Sequence, residues 1–95
     1  MDRKVYIDKL AAQLKAWDSD IKELEMKVEN AEAGAKEKYE SWLQDLRTKK
    51  ENAYQKLKEV QEAGNTAWQE LKSGTEQAFD KMKNSVEAAI DEMKK

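Results

Sequence analysis

The apolar residues in the first third of the chain recur at alternating steps of three and four. This spacing places them on one stripe of an α-helix, and its seven-residue period is typical of a left-handed coiled coil. The heptad segment spans residues 5–35. We expect its stripe to be a self-association seam formed by Ile7, Leu10, Leu14, Trp17, Ile21, Leu24 and Val28, and continued by Ala31 and Ala35.

The spacing of the apolar and small residues changes in a second segment, residues 46–95. From Leu57 the steps become three, four and four, an eleven-residue repeat of about 3.67 residues per turn. This repeat predicts a straight or slightly right-handed helix with one apolar face. The large residues of the C-terminal part of that face are Trp68, Leu71, Phe79, Met82, Val86, Ile90 and Met93. We expect this face to contact protein helices, with a lipid surface as the alternative.

Few residues interrupt the helical pattern. Gly34 stands among good helix formers, so a helix passing through it would lose only about 1 kcal/mol relative to Ala. The stretch Gly64–Asn65–Thr66 is a stronger break, because Gly can end a helix in the left-handed conformation. Thr66 and Gln69 then form the pattern of a capping box at the start of the next helix.

Two all-α architectures follow from these breaks. The favoured one has a long helix, from about residue 3 to about residue 62, and a C-terminal helix, which together form a coiled-coil hairpin or an oligomeric bundle. The alternative is a three-helix antiparallel bundle with turns at Gly34 and Gly64. In both, antiparallel packing would pair acidic residues of the first segment with basic residues of the middle one. These residues are Asp18, Glu25 and Glu32, and Arg47, Lys49, Lys50, Lys56 and Lys58.

Composition agrees with a single helical coiled-coil domain over residues 1–95. Ala, Glu, Lys, Leu and Arg make up 50 of the 95 residues, and Pro is absent; this is the composition of long helices. The net charge of −2 argues against the basic surface that nucleic-acid binding needs. The charged N-terminus and the lack of a long apolar run predict a cytoplasmic protein.

Catalytic chemistry has little support in these residues. The chain has no His and no Cys, and Gly34, Gly64 and Gly74 are isolated rather than grouped in a phosphate-binding loop. Neighbouring acidic residues such as Glu23 and Glu25 are better explained as a solvated helix face than as cation ligands. We therefore predict no enzymatic activity, no cofactor, no metal and no small-molecule substrate.

The aromatic residues fall into three groups. Trp17 and Trp68 lie on the two apolar stripes, which favours core positions. Trp42 lies where the stripe changes phase and is the aromatic residue that we most expect at a surface or an inter-subunit contact. Tyr6 and Tyr54 flank the stripes, where a ring can cover apolar surface while its hydroxyl stays in water.

The opening KVYIDKLAAQLKAWDSDIKELE and the tail AWQELKSGTEQAFDKMK resemble small bacterial coiled-coil proteins, some of them associated with stress responses, whose biochemical activity is unassigned. The resemblance implies a bacterial helical interaction protein, and it carries no ligand residues onto this chain. Gly34 departs from it, since alanine-rich helix would be usual there.

Three functional hypotheses remain. The first is a structural or interaction protein that self-assembles through its seams. The second is peripheral binding to a membrane surface through the C-terminal eleven-residue repeats, with lysines 72, 81 and 83 near the head groups. The third is a chaperone-like or adaptor role in which a groove binds a helix of another protein.

Overall fold

A computed structural model describes residues 2–94, with side chains for residues 2–93, so Met1 and Lys95 at the ends of the predicted domain lie outside the described residues. Over residues 2–94 the chain forms three α-helices and no strands. They are α1 (Arg3–Glu29), α2 (Ala33–Glu62) and α3 (Ala67–Lys94). The helices pack side by side as an antiparallel bundle of about 51 × 18 × 17 Å, in which α1 and α3 run in the same direction and α2 runs opposite to both.

The predicted all-α bundle is confirmed, but the favoured long helix over residues 3–62 is wrong. α1 ends at Glu29, and its end is satisfied locally: both the backbone N–H and the side-chain amide of Asn30 donate to the carbonyl of Met26. Folding back lets the seam of α1 be buried in its own chain, whereas one long helix would leave it exposed in a monomer.

The first turn of the three-helix alternative is also displaced from its predicted position. It lies at residues 30–32, and Gly34 belongs to the first turn of α2. No described residue has a positive φ, so this turn does not require a glycine. The position of Gly34 therefore did not indicate where this turn lies.

The second break lies where it was predicted. α2 ends at Glu62, α3 begins at Ala67, and Thr66 stands directly before the first helical residue. The backbone N–H of Gln69 donates to the carbonyl of Thr66, and that of Trp68 donates to Gly64. Gly64 does not adopt the expected left-handed conformation. The Arg3 guanidinium, which donates to the carbonyl of Ala63, ties the start of α1 to this turn.

One apolar core runs the length of the bundle and includes buried residues from all three helices. α2 packs closely against both α1 and α3, whereas α1 and α3 approach each other less closely. Large rings span that wider gap: Trp17 and Phe79 lie with centroids 5.4 Å apart. Ala53 of α2 is fully buried in the same core. Thr75 is also fully buried, and its hydroxyl donates to the carbonyl of Leu71.

Candidate functional site: interaction surfaces of the bundle

The predicted self-association seam is occupied within the chain. Leu10, Leu14, Trp17, Ile21, Leu24 and Val28 are buried in the bundle core, and Ile7 is partly buried against it. The continuation of the seam, Ala31 and Ala35, is half-buried at the turn between α1 and α2. In the folded bundle, this seam can therefore contact a second copy only near that turn, unless the helices separate.

The apolar face of α3 is also turned inward. Trp68, Phe79, Met82 and Val86 are buried, and Leu71, Ile90 and Met93 are partly buried against the core. Ala78 and Ala89, which lie beside the large residues, are buried too. A lipid contact through this face would thus require α3 to leave the bundle.

Charged side chains of α1 and α2 pair along one flank of the bundle. Lys50 Nζ lies 2.7 Å from Asp18 Oδ1, and Arg47 Nη2 lies 2.7 Å from Glu25 Oε1. The pKa of Asp18 is lowered, mainly by the hydrogen bond from Lys50 and then by its charge, with Lys22 adding to the effect. These contacts follow the predicted antiparallel charge pairing. They leave out Glu32, which lies exposed in the turn. Lys49 and Lys56 instead pair within α2, with Asp45 and Glu59 respectively.

A cluster of aromatic rings lies where the N-terminal ends of α1 and α3 meet. Tyr6 and Trp68 meet edge to face with centroids 5.7 Å apart, and Lys72 Nζ lies 5.3 Å from the first ring centroid and 5.4 Å from the second. Tyr6 is only 4% exposed, so the expectation that its hydroxyl stays in water is wrong, because α3 covers it. Burial raises the pKa of this hydroxyl, and the nearby charge of Glu76 raises it further. Tyr54 is exposed, as predicted.

Apolar side chains remain accessible together at the opposite end of the bundle, beside the turn between α1 and α2. Met26 is 64% exposed, and Tyr39, Trp42 and Met93 are half-buried. We call these four residues together with Ala35 the turn-end surface. A cleft of about 680 Å³ lies among Met26, Ala35, Tyr39 and Met93, and Glu23, Lys27 and Glu32 stand around it.

The two aromatic rings of the turn-end surface are held together. The rings of Tyr39 and Trp42 lie with centroids 5.4 Å apart at an angle of 41°. Lys38 Nζ stands 5.1 Å from the Trp42 ring centroid. A second cleft, of about 290 Å³, adjoins Trp42 between α2 and α3 and is lined there by the small residues Ser85, Ala88 and Ala89. The surface thus combines rigid aromatic rings with charges of both signs.

The sequence pattern predicts a surface position for Trp42, and it places Ala35 on the seam and Met93 on the C-terminal apolar face. It gives no signal for Met26 or Tyr39. Met26 lies off the heptad stripe, and a single apolar residue on a polar helix face is common, so its role becomes visible only where other apolar side chains join it. Tyr39 and Met93 belong to different helices, so their proximity follows only from the folding back of the chain.

Over residues 2–94, no group of three or more acidic, His or Cys side chains is arranged to hold a metal ion. Within the same range, no helix combines the length and the apolar character needed to cross a membrane. Comparison of the chain with protein-family models, with curated proteins and with solved structures finds no match.

Proposed function

We propose that this chain is a non-enzymatic structural or interaction protein of the cytoplasm that self-assembles, and that a second copy of the chain binds to its turn-end surface. The observation that carries the proposal is the grouping of Met26, Tyr39, Trp42 and Met93 at one end of a bundle whose seams are otherwise filled. Apolar and aromatic side chains with a charged rim are the usual composition of a protein contact.

The charges around the surface favour a copy of the same chain as the partner. A two-fold interface brings the same patch of both subunits together, so each patch must complement itself. Glu23 and Glu32 stand on the rim together with Lys27, and Lys38 lies beside Trp42. Acidic and basic groups of one subunit can therefore face groups of opposite sign on the other.

Met26→Glu tests this proposal without disturbing the core, because Met26 is largely exposed. Burying a charge in the contact should raise the dimer dissociation constant by about tenfold or more. The matched control is Val5→Glu, since Val5 is 55% exposed and lies at the other end of the bundle. The measurement is sedimentation equilibrium over a range of protein concentrations.

We expect a concentration-dependent dimer for the unchanged protein and for Val5→Glu, and a weakened dimer for Met26→Glu. A mass of one chain at all concentrations would overturn the proposal. If both substitutions weakened the dimer equally, the turn-end surface would not be the contact.

The resemblance to small bacterial coiled-coil proteins, some of them associated with stress responses, supports an interaction role. A partner helix from another protein would meet the same apolar rings and charged rim. If the partner is another protein, sedimentation equilibrium would give the mass of one chain for this protein alone and a larger mass only after that protein is added.

A further inference from the structure

The turn between α1 and α2 contains one weaker helix former, Asn30, and two good ones, Ala31 and Glu32. Asn30 ends α1 with φ −95° and ψ 1°, and Glu32 precedes α2 with φ −66° and ψ 152°. A φ of −66° is already helical, so at Glu32 mainly ψ separates the turn from helix. The connection contains neither a proline nor a residue with positive φ. The conformation of these three residues thus determines whether α1 and α2 are two helices or one continuous helix.

The second turn is less able to straighten. It contains Gly64, Asn65 and Thr66, which are all poorer helix formers than Ala or Glu. It is also tied to the start of α1 by the bond from Arg3 to Ala63. Of the two connections, the one at residues 30–32 is therefore the better hinge.

Straightening this hinge would join α1 and α2 into a single helix over residues 3–62, about 90 Å long at 1.5 Å per residue. α1 could then no longer reach its own α2 and α3. The place it leaves would be filled by α1 of a second copy in the same state, as in other domain-swapped dimers. Lys50 would pair with Asp18, and Trp17 would pack on Phe79, between chains instead of within one.

The apolar pattern across the hinge suits such an exchange. Val28, Ala31, Ala35, Tyr39, Trp42 and Leu46 follow one another at steps of three, four, four, three and four. A continuous helix would therefore present one unbroken stripe through the hinge. The turn-end surfaces of both copies would meet at the centre of the dimer, where Met26 and Tyr39 would gain cover.

We propose that two copies associate by exchanging α1 through a straightened hinge at Asn30–Ala31–Glu32. This inference rests on the proposed self-association and adds its mechanism. The alternative is a dimer in which two intact three-helix bundles dock through the turn-end surface.

Ala33→Pro separates the two mechanisms. Ala33 is the first residue of α2, where Pro is favoured, and the extended ψ of Glu32 suits the residue before a proline. The substitution therefore fits the three-helix fold, but it would break a continuous helix. We expect Ala33→Pro to have the helix content of the unchanged protein by circular dichroism and the mass of one chain where the unchanged protein is a dimer.

A charge-exchange pair gives an independent answer that does not require proline to be tolerated. One chain carries Asp18→Lys with Glu25→Lys, and the other carries Arg47→Glu with Lys50→Glu. Each variant alone repels itself across the α1–α2 flank. In an exchanged heterodimer, basic residues of one chain meet acidic residues of the other at both flanks, so mixing should yield heterodimer in preference to homodimer by native mass spectrometry.

The outcomes distinguish this inference from the proposed function. A dimer of undiminished affinity in Ala33→Pro, or statistical mixing of the charge variants, would overturn helix exchange and leave self-association by docking. A monomeric unchanged protein would overturn both. Monomeric Ala33→Pro together with preferential heterodimers would support exchange.

Discussion

At the scale of single residues, the Tyr6 hydroxyl has an unfavourable position. It is buried, and among the described residues it has no hydrogen-bond partner. A buried polar group without a partner costs about 1–3 kcal/mol. The ring itself is well placed, because it packs against Trp68 and lies below Lys72. The ring of Tyr6 thus stabilises the fold, whereas its hydroxyl destabilises it.

Tyr6→Phe should accordingly raise the free energy of unfolding, by about 1 kcal/mol, since it keeps the ring and removes the unsatisfied group. Urea unfolding at neutral pH measures this. The raised pKa adds a pH dependence: the folded state holds the phenol proton more tightly than the unfolded state, whose pKa is near 10.0. The unchanged protein should therefore lose stability as pH rises above 10.

The variant lacks this loss, so its advantage over the unchanged protein should grow at high pH. Tyr54→Phe is the matched control, because Tyr54 is 54% exposed, and it should leave stability nearly unchanged. A destabilised Tyr6→Phe would show that the hydroxyl makes a favourable contact in solution.

At the scale of the helical elements, α3 follows its sequence pattern closely. The eleven-residue repeat predicts a continuous apolar face, and α3 runs without a break through Ser73 and Gly74. This is expected from the repeat, since a helix interrupted there would have left a segment too short to be stable alone. Gly74 is an exposed position at which a Cβ atom would meet no heavy atom within 4 Å.

Gly74→Ala should therefore stabilise the protein by about 1 kcal/mol, the difference in helix propensity between the two residues. For a domain of this size that corresponds to a rise in Tm of about 4–8 °C. Thermal unfolding followed by circular dichroism measures it. Gly34→Ala, which also meets open space but lies at the start of α2, should give a smaller gain. No gain at Gly74 would mean that α3 is not a stable helix at this point.

At the scale of the whole molecule, the bundle uses its apolar faces internally. The large residues of α3 that could enter a lipid interface form the core together with the seam of α1. Membrane binding would have to replace these contacts, and the acidic residues beside lysines 72, 81 and 83 offset attraction to anionic lipids.

We expect the protein to remain at the bottom of a density gradient with both neutral and anionic liposomes. Flotation that is lost in Trp68→Ala with Phe79→Ala, and kept in Trp42→Ala, would contradict this expectation. It would instead show that α3 leaves the bundle to lie on lipid.

The sequence by itself determined that the segments are helical, where their apolar faces lie, and the break at Gly64–Asn65–Thr66, because helix periodicity and turn chemistry are local properties. Trp17 and Trp68 could be placed in the core for this reason. The sequence also predicts that acidic residues of the first segment face basic residues of the middle one, but not which of them pair. Only the tertiary structure decided that the chain turns at residues 30–32, that Tyr6 is covered, and that Met26, Tyr39 and Met93 share one surface. The physical reason is that an apolar stripe has the same sequence pattern whether its own chain or a copy covers it. The choice then depends on closing a three-residue turn, which no single residue signals.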